Sequence, residues 1–223
     1  MGLRKVMVRG VQGYLSRAVL GLWAALSVVV VGYTLGAHLT SLPAPASSDP
    51  ALVNGLRALF PSSLVPHHAA GTGSGERDLL VVHILYDRCG CSSRVGKSLV
   101  ARGARSGVRE VVLLVSDDPA TTDHTSVAQL EAAGFPVVNL STSALAERLH
   151  VQAVPLLVIV GGAGRLLYVG GYQDRQDSPR LEDQRLISEA EADHSPTPLP
   201  IFGCATAAGL QRRLDPFGIK YGR

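Results

Sequence analysis

LLVVHILYDRCGCSSRVGKSLVARGA, residues 79–104, decides how this chain reads. Residues 79–87 are apolar almost without a break and β-branched in the middle, the composition of a strand buried on both faces of a parallel sheet. The pattern then changes, and Val95, Leu99 and Val100 recur at helical spacing. Cys89 and Cys91 stand where strand gives way to helix, with one glycine between them. Backbone N–H groups at a helix N-terminus favour an anion, so a thiol held there ionises more readily. Arg88 and Arg94 add positive charge close by. The thiolate is the species that attacks disulfides or binds soft metals. A disulfide across C-x-C closes a very small ring, and strained, exposed disulfides are the more oxidising ones. As a staple such a bridge gains little, so the spacing favours chemistry over architecture.

Strands and helices alternate downstream. REVVLLVS (109–116) reads as a second buried strand, SVAQLEAAG (126–134) as a helix stopped by Gly134, FPVVNL (135–140) as a third strand and SALAERLHV (143–151) as a third helix. Val154-Pro155 leads into LLVIV, a turn at Gly161-Gly162-Ala163-Gly164 and RLLYVGGY, which together predict a β-hairpin. Those glycines lack the strand–loop–helix setting and the Lys-Ser/Thr of a phosphate loop. Gln173–Pro200 is polar, with an exposed helix expected over LEDQRLISEAEAD. IFGCATAAGLQRRLDPFG predicts a last helix from near Cys204 to just before Pro216. The order β-α-β-α-β-α-β-β-α predicts an α/β sandwich of one domain, over 77–223. Its central mixed sheet is mostly parallel, with an antiparallel edge from the hairpin.

Upstream, Arg4, Lys5, Arg9 and Arg17 precede the uncharged run AVLGLWAALSVVVVGYTLGA. About 20 such residues cross a hydrocarbon core. Residues 1–17 are therefore expected in the cytoplasm, 18–40 as one N-terminal transmembrane helix, and the rest outside. A cleaved signal with a site at Ala44-Pro45-Ala46 is the competing reading, and it too exports the domain. Residues 41–76, rich in Pro, Ala, Ser and Gly, read as a flexible linker holding a short helix at Ala51–Phe60 that starts at Asp49-Pro50. The net charge of +3, with no basic block and few aromatics, gives nucleic acid no footing as a partner. His67-His68 and His124 lack ligand spacing to the cysteines and read as solvated loop residues, so no metal site is expected from them. Asp117-Asp118 reads as a solvated or helix-capping pair.

RCGCSSRVGKSL after a buried strand, then VVLLVSDDP, then FPVVNLSTSALAERLHVQAVPLLVIVGGAGRLLYVGGY, resembles the thioredoxin superfamily. It is most similar to the membrane-anchored bacterial thiol–disulfide oxidoreductases, over about Leu79 to Tyr172. The resemblance implies a thioredoxin-like sandwich and an enzyme that exchanges disulfides with protein substrates on the extracytoplasmic, periplasmic side, without a cofactor. It also implies a cis proline at Pro155 packed beside the active cysteines. Cys89 is then the attacking thiol and Cys91 the resolving one. The chain departs from the family in having C-x-C for C-x-x-C, and Arg88 where an aromatic residue is usual. Six residues before Cys89 lies His83, where many thioredoxins carry a buried acid; it is a proton-shuttle candidate against a merely packed histidine.

Cys204 is the third thiol. It pairs with Cys89 or Cys91, or serves as a third metal ligand, or lies buried and inert. The alternative to redox catalysis is a soft-metal carrier, for copper, using Cys89, Cys91 and Cys204.

Overall fold

Central strand β1 (Leu80–Tyr86) is buried along its whole length, as its unbroken apolar composition requires. The computed structural model describes residues 17–32, 36, 41–46, 49–60, 79–118, 124–218, 220 and 221. Two units are distinguished, Met1–Thr40 and Ser41–Arg223. In the second, the elements are α1 (Pro50–Leu59), β1, α2 (Gly90–Arg102), β2 (Arg109–Ser116), α3 (His124–Ala132), β3 (Val137–Ser141) and α4 (Thr142–Leu149). There follow β4 (Ala153–Val154), β5 (Leu156–Val160), β6 (Leu166–Gly170), α5 (Asp183–Glu191), β7 (Cys204–Ala205) and α6 (Ala208–Leu214).

The main sheet has the order β3-β2-β1-β5-β6. β1 is parallel to β2 and β2 to β3, while β5 runs antiparallel to both β1 and β6. This is the expected mixed sheet, consistent with a thioredoxin-like fold. The two-residue period of a strand sorts β1 into two layers. Val82, Ile84 and Tyr86 join Leu52, Leu56, Leu145, Leu149 and Cys89 in the first. Val81 and Leu85 join Val95, Leu99, Phe135, Leu186 and Ile187 in the second.

Four expectations are revised. The described part of the expected linker belongs to the folded unit: Leu42 bridges to Ile201, and Leu52, Leu56 and Phe60 lie in the first layer. The expected helix is there, capped by Asp49, whose side chain accepts from the Ala51 N–H at 2.9 Å. Its apolar face needs cover and finds it on α4, so closely that a Cβ at Gly55 would lie 2.1 Å from the Arg148 carbonyl oxygen. Next, α5 is amphipathic rather than merely exposed, and Asp183, Leu186, Ile187 and Ala190 are buried. Third, Cys204 lies in a short strand, and the last helix begins only at Ala208. Fourth, His124 stands in α3 rather than in a loop; His67 and His68 lie outside the described residues.

In the first unit, residues 17–32 are helical and their large apolar side chains are exposed. Among the described residues no helix is long and apolar enough to cross a membrane. The span expected over 18–40 is described only at 18–32 and 36.

Candidate functional site

Three segments meet beyond the end of β1. Cys89 is the N-cap of α2, with extended backbone (φ −105°, ψ 117°), and its carbonyl accepts from the Ser93 N–H at 2.9 Å. Ser92, one helical turn after Cys89, is buried, and its Oγ accepts the Tyr86 N–H at 3.0 Å, which ties the helix to the strand end. The second segment is β4 with the cis Val154–Pro155 bond. The third is β7, antiparallel to β4, with Cys204 opposite Val154. Gly203 allows that approach: a Cβ there would fall 1.9 Å from the Val154 carbonyl oxygen and 2.6 Å from Pro155 Cδ.

Cys89, Cys91 and Cys204 are free thiols joined in one apolar cluster. Their exposures reverse what chain order suggests. Cys89, the expected attacking thiol, is 1% exposed, whereas Cys91 and Cys204 are half-buried. Cys91 shares a shallow cleft with Pro155, lined also by Arg94, Gln173, Leu181 and Phe202, where Arg94 donates to Gln173.

Hydrogen bonds divide the charge unequally. Cys204 first, then Cys91, and less strongly the N–H and O–H of Ser92, favour the anionic form of Cys89 through hydrogen bonding. Together they outweigh burial and hold the Cys89 thiol far below its ordinary range. Cys91 and Cys204 are pushed up, each first by donating to Cys89 and then by burial. Lys220 opposes both rises, and Arg94 opposes that of Cys91. The chain's end is held near the site by Asp215, whose Oδ2 accepts the Lys220 N–H at 2.7 Å and the Tyr221 N–H at 3.0 Å. Tyr221 Oη in turn accepts the Ala205 N–H at 2.9 Å. The negative charge of the cluster thus falls on Cys89.

Arg88 pairs with Asp117 at 3.3 Å, so its charge is engaged away from the thiols. Asp117 also accepts the Tyr86 hydroxyl at 2.8 Å, which makes it more than a solvated acid. A cavity of about 210 Å³ lies behind Ser92; the described residues lining it include Lys97, Ser126 and Gln129 but no cysteine.

His83 belongs to a different cluster. It is 0% exposed, set against Phe135 and Tyr172 of the second layer. Its Nδ1 bonds the Tyr172 hydroxyl and its Nε2 the Glu110 carboxylate, both at 2.9 Å. Glu110 also accepts from Arg102 at 2.5 Å and from the Arg105 N–H at 2.8 Å, and Arg102 reaches Asp183 at 3.0 Å. Burial alone would raise the Glu110 pKa, but the His83 and Arg102 hydrogen bonds prevail and hold it at about 2. Both His83 ring nitrogens are engaged inside this network, and neither bonds a cysteine. The packed reading of His83 is the one the geometry favours.

Sequence reasoning did not single out Ser92, Lys220 or Tyr221. Ser92 had a signal, since it stands three residues after Cys89, where a C-x-x-C motif places its second thiol. Glu110 also had one, as a lone acid inside an apolar strand. Lys220 and Tyr221 reach the site only through the fold of the chain's end.

No family model matches the chain, and no curated protein matches it. Among solved structures, a hypothetical protein from Sinorhizobium meliloti 1021 is similar at 21% identity, over 59% of this chain and 81% of that one, with a TM-score of 0.46. A candidate thioredoxin from Neisseria meningitidis is similar at 21% identity, over 51% and 73%, with a TM-score of 0.34. BsSco, a member of the Sco family of cytochrome c oxidase assembly proteins, is similar at 13% identity, over 51% and 78%, with a TM-score of 0.28. These similarities are distant, and the fold assignment rests on this chain's own strand order.

Proposed function

We propose that the domain is a thiol–disulfide oxidoreductase acting on protein disulfides outside the cytoplasm, and that the N-terminal segment tethers it to a membrane. One observation carries the redox reading: Cys89 stands at the N-cap of α2 in one apolar cluster with Cys91 and Cys204, and Cys91 opens on the Pro155 cleft. Exposure assigns first contact with substrate to Cys91, and charge assigns the thiolate to Cys89. The Cys91 thiol gives its proton to water at the cleft as its sulfur attacks one sulfur of the substrate disulfide. A Cys91–substrate disulfide forms, the substrate S–S bond breaks, and the leaving thiolate takes a proton from water. The Cys89 thiolate then attacks the Cys91 sulfur, forming Cys89–Cys91 and releasing the second substrate thiolate, which is protonated by water. Two electrons have passed from the protein to the substrate, and the reverse sequence oxidises a dithiol.

Tethering is supported by the four cationic residues ahead of the uncharged run and by the exposed apolar side chains on residues 17–32. The likeness of RCGCSSRVGKSL and its downstream motifs to the membrane-anchored bacterial branch supports the same placement.

The test is turnover of insulin disulfides by the reduced full chain. Cys89→Ser and Cys91→Ser are each expected to lose on the order of a hundredfold or more, because one is the resolving and the other the attacking thiol. Cys89→Ser should also accumulate a mixed disulfide on Cys91. Full turnover by both variants would end the redox reading.

A second reading, a soft-metal carrier suited to Cu(I), is favoured by the three soft donors Cys89, Cys91 and Cys204. Against it, among the described residues no three His, Cys, Asp or Glu side chains are placed to hold a metal ion. Stoichiometric Cu(I) binding by the reduced chain, without thiol-exchange turnover, would favour the carrier.

A further inference from the structure

We propose that Cys204 completes a three-thiol relay, in which the disulfide made first between Cys89 and Cys91 moves on to rest between Cys89 and Cys204. The inference rests on the oxidoreductase reading and names the last acceptor within the same site.

β7 holds Cys204 in place rather than leaving it on a loose tail. Its register with β4 sets Cys204 opposite Val154, the residue before Pro155. The Thr206 N–H donates to the Gln152 carbonyl at 2.8 Å, and Gln211 Nε2 donates to the Ala205 carbonyl at 3.0 Å. With the Tyr221 contact and the close seat of Gly203, these bonds fix the strand on both flanks of Cys204. The thiol is therefore held by a separate strand in the same cluster as Cys89 and Cys91, which suits attack on a sulfur already bridged to Cys91. β7 also covers the edge of β4, so a substrate strand cannot add there while β7 is seated. The open approach is the cleft that Cys91 shares with Pro155.

The two bridges differ in what they close. Cys89–Cys91 makes a very small ring within one helical start. Cys89–Cys204 joins two segments that already touch and closes a long loop, which restrains the unfolded chain far more. The step balances without an outside oxidant. The Cys204 sulfur attacks the Cys89 sulfur, the Cys89–Cys91 bond breaks, Cys89–Cys204 forms, and the Cys204 proton ends on Cys91. Cys91 is a thiol again, and the oxidising equivalent is stored away from the cleft.

Oxidation of the reduced full chain with one equivalent of glutathione disulfide tests this, with acid quench at intervals, alkylation by N-ethylmaleimide and tryptic mass mapping. Trypsin cuts after Arg88 and Arg94, so Cys89 and Cys91 share the peptide CGCSSR, while Cys204 lies in LISEAEADHSPTPLPIFGCATAAGLQR. The internally bridged CGCSSR should form first. It should then give way, by about tenfold at completion, to a cross-link between the two peptides carrying one alkyl group on Cys91. Cys204→Ser should stop at the internal bridge. The wild-type time course needs no variant, so it decides the matter even if that substitution harms folding. A final state of internally bridged CGCSSR with alkylated Cys204 would overturn the relay and leave the oxidoreductase reading standing. An absence of any bridge, together with no insulin turnover, would remove that reading as well.

Discussion

The thiols beyond the end of β1 and the ion network at its middle are both drawn out of water, but their hydrogen bonds are distributed differently. Around Cys89 the neighbouring groups favour charge on one sulfur, and Cys91 and Cys204 stay half-buried. Three sulfurs in one cluster can exchange disulfide partners. In the network, His83, Glu110, Arg102 and Asp183 bond one another across β1, β2, α2 and α5, and Glu110 is only 3% exposed. Pockets border this network at Arg102 and Arg105 and at Tyr172, but neither His83 nor Glu110 lines one of them. Burial combined with perturbed ionisation is therefore not enough to mark a reacting centre. What differs is that a nucleophilic sulfur, Cys91, lines a cleft, whereas the His83 and Glu110 side chains line neither of the pockets beside them.

Removing the centre of the network should have the largest effect on stability. Glu110→Ala leaves His83 and Arg102 buried without their shared acceptor, which costs about 3–5 kcal/mol. Guanidinium unfolding should show that loss, while thiol exchange under folding conditions stays within about twofold. The acid limb follows from the sign of the shift. Because the folded Glu110 pKa is lowered to about 2, its contribution is present above the ordinary carboxylate value and is lost as pH falls through the folded one. Glu110→Gln should flatten stability across that window. An unchanged unfolding midpoint for Glu110→Ala would erase the contrast between the two clusters.

The thiol cluster can be probed by acid titration of the reduced chain, followed by the ultraviolet absorbance of the thiolate. Cys89 should stay ionised well below the ordinary thiol value of about 8.5. Cys204→Ala removes the leading donor, so the transition should move up by about one unit or more. Identical titrations would show that the S–H donors are not what holds the charge on Cys89.

The smallest effect is expected at the rim. Arg88 and Asp117 are 70% and 45% exposed, so Arg88→Ala should alter stability by no more than about 1 kcal/mol. Exchange should be nearly unchanged, since the guanidinium is directed to Asp117. A tenfold fall in exchange rate would place Arg88 among the groups that tune Cys89.

Much of the domain was legible residue by residue. The apolar run of β1, the helical spacing after it and the hairpin around the glycine turn are local patterns, and each formed as periodicity requires. Asp49-Pro50 likewise marked the start of α1, because a side-chain cap acts within one turn. Composition misled for 41–60, where a Pro- and Ser-rich stretch conceals the apolar face of α1. It misled again near Cys204, where a strand register with β4 overrides helical propensity. His83 sits six residues from Cys89 in sequence, but side-chain alternation along β1 turns it toward Tyr172 and Glu110.

By itself, then, the amino-acid order determined the alternation of strands and helices, the placing of Cys89 and Cys91 at a helix start and the proline at 155, since these depend on neighbours a few residues apart. Tertiary structure alone decided that Cys204 joins them, that Cys91 rather than Cys89 faces the cleft, and that Glu110 and Arg102 claim His83. Those outcomes depend on strand register and layer packing, which bring together segments more than a hundred residues apart in the case of Cys89 and Cys204, and no local pattern encodes them.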